Sequence, residues 1–239
     1  THQLNHNTFN LNFDNFLISE EVNQKDENTG IEEKRVLISE IVIEGLEDHP
    51  DKERLEVIAY DAMLIRPGSK VTSEDVKKDL DRIYSTGWFS GAKIESLQSA
   101  LGVQLLIKID PNPILNKISI LPLERKLSNT KLNEIFNNDY GKTLNLNTLQ
   151  IRIKEIKDWY SSQGYSLTRI NGPSRVTKEG RVELNIQEGY IAGIQINFID
   201  EDGNTEDEKG NLVKGKTKRW VIKRELITKV GDIFNRNKL

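Results

Sequence analysis

One block of secondary-structure signals occurs twice along this chain and starts a third time. Repetition of this kind restricts the fold to a tandem array of small units. The block opens at Val36-Leu37-Ile38-Ser39-Glu40-Ile41-Val42-Ile43-Glu44-Gly45. There Ile41 and Ile43 alternate with Glu40, Val42 and Glu44, the period of a strand, and Gly45 ends the run. The spacing of Leu55, Ile58, Ala59, Ala62 and Met63 predicts a helix from Asp51 to Leu64. Arg66-Pro67-Gly68 stops it, because proline lacks the amide donor and glycine takes dihedrals other residues avoid. Thr72 or Ser73 is placed to cap a second helix, with Glu74 and Asp75 in its first turn. Val76, Leu80, Ile83 and Tyr84 form its apolar stripe and Gly87 its end. Strands over Ala92–Leu97 and Val103–Ile109 complete a β-α-α-β-β unit.

The second pass runs from a strand at Ile114–Leu121 through a short helix marked by Leu132, Ile135 and Phe136. Gly141 follows Gly68 by 73 residues, and Gly164 follows Gly87 by 77. Between them Asn145 or Asn147 caps a helix with Leu149, Ile153, Ile156 and Tyr160 on one face. Tyr165–Ile170 and Val182–Ile186 read as closing strands around a turn at Lys178-Glu179-Gly180. A third pass begins at Tyr190, with Ile194, Ile196 and Phe198 alternating as a strand. A polar insertion, Glu201–Lys216, precedes a helix carrying Val221, Ile222, Leu226 and Val230. Val230-Gly231-Asp232-Ile233-Phe234 then takes the place of Pro67-Gly68-Ser69-Lys70-Val71. With only part of its elements, this unit is expected to be the least stable region.

Composition enters as a set of exclusions. The 34 basic residues nearly balance the 37 acidic ones, for a net charge of −3, without the basic excess of a dedicated nucleic-acid binder. No apolar run is long enough to span a membrane as a helix. The chain has no cysteine, which excludes zinc–thiolate sites, iron–sulfur clusters, disulfides and thiol catalysis. Its three histidines are His2 and His6, in a polar tail, and His49, in a loop beside Pro50. No Ser/His/Asp arrangement, phosphate-binding glycine loop or His-x-x-x-His pair is present. Glu74 with Asp75, or Glu201 with Asp202, are candidate carboxylate pairs, but no base or ligand set converges on either. The expectation is a protein that is not an enzyme, with no cofactor, metal or catalytic residue.

Residues 1–34 hold seven asparagines and seven acidic residues against two lysines, and are expected to be a disordered polar tail. Phe9, Leu11, Phe13, Phe16, Leu17 and Ile18 form its one apolar patch, read as part of a linker rather than a docking motif. No basic segment followed by an apolar core opens the chain, so any secretory signal has been removed or the chain is a fragment. Lys209–Arg224 carries seven basic residues and no acidic one. A solvated loop leading into a helix explains it better than contact with anionic lipid or nucleic acid.

The β-α-α-β-β repeat resembles the POTRA (polypeptide-transport-associated) domain. The resemblance rests on Val36–Gly45, on Arg66-Pro67-Gly68, and on Ile83-Tyr84-Ser85-Thr86-Gly87-Trp88-Phe89 with its counterpart Trp159-Tyr160-Ser161-Ser162-Gln163-Gly164-Tyr165. Asp110-Pro111-Asn112-Pro113, Tyr140-Gly141-Lys142-Thr143-Leu144-Asn145-Leu146 and Gly231-Asp232-Ile233-Phe234-Asn235-Arg236 resemble the cyanobacterial and plastid branch of the outer-membrane β-barrel assembly factors. The implied fold class is α+β: tandem POTRA repeats, each a three-stranded sheet with two helices on one face. The division is a tail over residues 1–34, a first unit over 35–111, a second over 112–189 and an incomplete third over 190–239.

The resemblance implies a periplasmic arm ahead of the protein's own C-terminal membrane barrel, guiding unfolded outer-membrane proteins or transported polypeptides to it, with room for accessory assembly proteins and no role for nucleic acid. It also implies alternatives: the arm of a dedicated secretion pore or plastid import pore in the outer envelope, or a spacer that binds no client. In such a fold the second strand of each sheet lies at an edge. Its unpaired backbone groups can accept an extended client as an added strand. The expected client edges are Lys93, Ile94, Glu95 and Leu97 in the first unit and Ser166, Leu167, Thr168, Arg169 and Ile170 in the second. Lys93, Glu95 and Arg169 equally suit an edge protected by charge, and Pro173 is expected to limit pairing along the second edge. Trp88-Phe89 and Trp159-Tyr160 are read as helix-exit packing rather than binding hot spots. Pro111, Asn112 and Pro113 form a short junction expected to hold a fixed angle, whereas Gln187-Glu188-Gly189 is expected to be more mobile.

Overall fold

A computed structural model of the chain describes residues 35–123, 125–207 and 209–238. The expected tail over 1–34, with its apolar patch, lies outside the described residues. The elements are β1 (Val36–Glu44), α1 (Lys52–Ala62), β2 (Lys70–Val71), α2 (Ser73–Ser85), β3 (Phe89–Ser99), β4 (Gly102–Pro111), β5 (Lys117–Leu121), α3 (Asn129–Phe136), α4 (Leu146–Ser162), β6 (Arg169–Val176), β7 (Arg181–Gln187) and α5 (Arg219–Glu225). The first sheet has the order β2-β1-β4-β3 and the second β5-β7-β6. In each, the opening strand runs parallel to the last one, and the last strand pairs antiparallel with the strand before it.

Apolar alternation builds both sheets. Val103, Leu105, Ile107 and Ile109 of β4 point to the helices and are buried, as are Val182, Leu184 and Ile186 of β7. In β1 a register shift between Ile38 and Glu40 inserts one residue, Ser39. The extra residue puts Ile38, Ile41 and Ile43 opposite Val103, Leu105 and Ile107 on one face, although 38 and 41 differ in parity. The second core joins Ile118, Ile120, Leu132, Phe136, Leu149, Ile153, Ile156, Tyr160, Val182 and Leu184. Burying each such aliphatic side chain contributes about 1.5–3 kcal/mol.

The helix starts follow their caps. Thr72 is the N-cap of α2: its hydroxyl accepts the Asp75 N–H, and the Asp75 carboxylate accepts the Thr72 N–H in return. Ser128 caps α3, and Asn145 caps α4 through the N–H groups of Asn147 and Thr148. Asp79, fully buried on α2, accepts the backbone N–H groups of Leu64 and Ile65 and pairs with Arg82. It thereby fixes the chain leaving α1 against α2.

Several expectations are corrected. The two-residue strand β2 was not foreseen; it widens the first sheet to four strands. The strand expected from Ile114 begins at Lys117, with Ile114 held in a single bridge to Thr143. Ser166, Leu167 and Thr168 do not belong to an edge strand. The Tyr165 N–H bonds back to Tyr160 O at 2.9 Å and the Thr168 N–H to Tyr165 O at 3.3 Å, so the chain is still turning there. β6 begins at Arg169, and Leu167 instead lies against Gly189. The strand continues past Pro173 to Val176, with a register shift between Asn171 and Arg175.

The third pass departs most. Ile194, Ile196 and Phe198 form no strand, because no described strand after Tyr190 supplies the parallel partner that β4 gives β1 and β7 gives β5. α5 ends at Glu225, so Leu226 and Val230 lie beyond it. Among the described residues from 190 on, only Asn235 is buried.

Candidate functional site

Two kinds of feature stand out: the open sheet edges and the joints where one repeat meets the next. β3 pairs with β4 along one side, from Phe89 to Ser99, and no described strand occupies its other side. Lys93, Glu95 and Leu97 face away from the helices, while Ile94 turns inward and is 7% exposed. Leu97 is 49% exposed. Glu95 takes the Lys108 ammonium of the neighbouring strand at 2.8 Å, which raises the lysine's pKa. At the start of the edge the Ala92 N–H donates to the Tyr84 hydroxyl at 2.8 Å, and that hydroxyl donates to Ala92 O at 3.1 Å. In the second sheet the outer strand is β6, with Arg169 exposed and Ile170 buried. Of the five residues expected on this edge, the fold brings only these two into the strand.

The first joint is built around Asn112, which is 3% exposed. Its side-chain amide donates to Gly87 O at 2.9 Å and Leu144 O at 3.0 Å, and its N–H donates to Trp88 O at 2.9 Å. Asn145, the α4 cap, reaches Thr86 O at 2.9 Å; Asn147 reaches Ser85 O at 2.9 Å; and the Leu146 N–H donates to Gly87 O at 2.8 Å. Three carbonyls at the end of α2 are thus taken by groups at the start of α4. Around them the His49 ring contacts Asn112 O at 3.2 Å, and Asp51 accepts the Thr143 hydroxyl at 2.8 Å. The Arg54 guanidinium bonds Asp51 and stacks 4.3 Å from the Trp88 ring centre. Arg54 above all, with help from Thr143, holds the Asp51 carboxyl below its ordinary range. Trp88 therefore serves packing at the helix exit, beside a buried Phe89.

The second joint repeats the backbone bonds and the capping asparagine of this pattern. The Asn235 amide donates to Gln163 O and the Arg236 N–H to Gly164 O, each at 2.9 Å; the Asn237 N–H is taken by the Asn235 side chain at 2.9 Å. Gly87 and Gly164 have φ of 77° and 88°, and a Cβ on either would meet these asparagine side chains within 3.0 Å. In place of Asn112 stands Glu188, which turns back into its own unit. Its carboxylate accepts the hydroxyl of the buried Tyr160 at 2.9 Å and the Lys126 N–H at 2.7 Å. Burial is the main force raising the Tyr160 pKa.

Sequence reasoning missed the asparagine clamps and the Tyr84 hydroxyl. The clamps did leave a signal: Asn-x-Asn begins four residues after the turn glycine in both Gly141…Asn145-Leu146-Asn147 and Gly231…Asn235-Arg236-Asn237. Among the described residues no group of three or more histidines and carboxylates is placed to hold a metal ion, and no helix is long and apolar enough to cross a membrane.

Comparison with known proteins places this architecture. Residues 115–189 match the family described as POTRA domain, ShlB-type. The structure of POTRA1-3 of the periplasmic domain of Omp85 from Anabaena superposes with a TM-score of 0.73 at 33% identity, covering 86% of this chain and 82% of that one. Outer envelope protein 80, chloroplastic, of Oryza sativa subsp. japonica is 28% identical over 206 residues, 85% of this chain. Outer membrane protein assembly factor BamA of Buchnera aphidicola is 25% identical over 177 residues, 70% of this chain. The chain spans only 30% of the length of the rice protein and 26% of the bacterial one. From the repeated unit, the recurring joints and these likenesses together it follows that this chain belongs to the Omp85 family, as tandem POTRA domains akin to those of cyanobacterial Omp85.

Proposed function

We propose that this chain is the periplasmic arm of an outer-membrane β-barrel assembly or translocation protein, and that it receives unfolded outer-membrane polypeptides as strands added to β3 and β6. The single observation carrying this reading is that both sheets end in a strand paired on one side only. Main-chain pairing at such an edge tolerates many client sequences, as an assembly role requires. Lys93, Ile94, Glu95 and Leu97 on β3, with Arg169 and Ile170 on β6, form the client edges. Pro111, Asn112 and Pro113 join the units 35–111 and 112–189, and residues 190–239 carry the opening part of a third. Its own C-terminal barrel is the destination, and the arm itself is a non-catalytic scaffold. A plastid intermembrane address is the second reading, favoured by the likeness to the chloroplastic envelope protein of rice.

The test is photo-crosslinking. A urea-unfolded β-barrel polypeptide is diluted into the chain carrying a photoreactive residue at Gln98, at Asn171, or at Glu53 on the exposed side of α1. Strand addition puts the crosslinks at Gln98 and Asn171. Crosslinks of equal yield at Glu53, or none at either edge, leave only the spacer role.

A further inference from the structure

In an antiparallel pair, successive residues turn their N–H and C=O alternately toward the partner strand and away from it. Ala92 fixes which residues of β3 do which. Its N–H and its C=O are both engaged by the Tyr84 hydroxyl, on the side away from β4. Along the unbroken register from Ala92 to Ser99, Ile94, Ser96 and Gln98 therefore turn their peptide groups outward, and Lys93, Glu95 and Leu97 give theirs to β4. The hydroxyl thus stands where an added strand would put its own peptide group, and closes the edge at Ala92. Beyond it the edge is open, with Ser96, Leu97, Gln98 and Ser99 all exposed. Beside the outward peptide groups, the half-exposed Leu97 gives an apolar side chain of an incoming strand something to pack on. In the second unit the residue 77 positions after Tyr84 is Ser161, too short to play this part.

We propose that Tyr84 sets the register and limit of strand addition on β3: an extended polypeptide pairs with Ile94, Ser96 and Gln98 and stops short of Ala92. This rests on the strand-addition reading above. The occupant is an extended client segment, because what the edge offers is three outward peptide groups and one apolar contact.

The experiment is amide exchange by NMR on the full chain and on Tyr84→Phe, which keeps the ring and removes the hydroxyl. The probe is a short soluble peptide of alternating valine and threonine with lysine at each end. Without the probe, Ala92 exchanges slowly and Ile94, Ser96 and Gln98 fast; in Tyr84→Phe, Ala92 exchanges about fivefold faster or more, the size of one lost hydrogen bond. The probe protects Ile94, Ser96 and Gln98 in both proteins. In Tyr84→Phe it protects Ala92 too and binds about fivefold more tightly. Ser96→Pro removes an outward N–H while keeping the bonds to β4, so it folds and loses the probe. If the three amides are protected but Tyr84→Phe changes neither Ala92 exchange nor affinity, the Tyr84 proposal fails and strand addition stands. If the probe protects none of the three, both fail. Protection that rises with protein concentration without the probe gives the edge to a second copy of the chain and overturns the proposal.

Discussion

The joint at Asn112 and the joint at Glu188 share one backbone scheme. In the first, the Leu115, Leu144 and Leu146 N–H groups donate to Lys142, Pro113 and Gly87; in the second, Ile191, Phe234 and Arg236 donate to Asp232, Gly189 and Gly164. The main difference lies at the residue that joins the units. Asn112 carries a second bond from each side of the joint, to Gly87 O and Leu144 O, whereas Glu188 points back to Tyr160 and Lys126. The first joint also adds the Asp51–Thr143 and Arg54–Trp88 contacts. A repeat can therefore conserve how its units are spaced while changing how tightly they are tied. The second joint keeps the matching main-chain bonds without flanking prolines.

Asn112→Leu should have the largest effect. Gly87 O and Leu144 O each lose a partner in a buried place, at a cost of about 2 kcal/mol, or about thirtyfold in local opening. Amide exchange at Leu144 and Leu146 should accelerate by that factor, while exchange at Phe234 and Arg236 stays unchanged. Equal exchange at the two joints in the unaltered chain would overturn the claim that Asn112 ties the first more tightly.

Next comes the cap. Asn145→Ala removes the cap of the seventeen-residue α4 together with the bond to Thr86 O, and should cost about 1 kcal/mol in urea unfolding. Asn235→Ala should cost less, since the Asn235 side chain accepts one N–H, that of Asn237, where Asn145 accepts two, those of Asn147 and Thr148. A larger loss at Asn235 would show that the second joint depends on its clamp more than the first.

The smallest effect is acidic. Asp51 has a folded pKa below its ordinary 3.8, held there chiefly by Arg54. Its contribution is complete above that ordinary value and is lost as pH falls through the lower folded one. Exchange at Leu144 should therefore quicken below about pH 4 in the unaltered chain and lose that pH dependence in Asp51→Asn.

Much of the fold was legible beforehand because it rests on local rules. The glycines at 68, 87, 141 and 164 all adopt positive φ, and the apolar stripes of α2 and α4 are the buried ones. The site was less legible. Tyr165 and Leu167 alternate like a strand, yet they lie in a turn because backbone bonds to Tyr160 and Tyr165 keep the chain curling. Ile194, Ile196 and Phe198 alternate just as well and form none, because strand pairing needs a neighbour that alternation does not supply.

What the residues determined by themselves was the helices of the first two repeats, the spacing of their turn glycines, the caps and the absence of cysteine chemistry, all of which depend on residue types and on neighbours within a few positions. Tertiary structure alone decided that β3 is an edge with Tyr84 closing one end, that Asn112 is a clamp while Glu188 is not, and that Ser39 is the bulge aligning β1 with β4. Each depends on groups brought together from distant parts of the chain, and the hydrogen bonds that decide them exist only once the sheets and helices have packed.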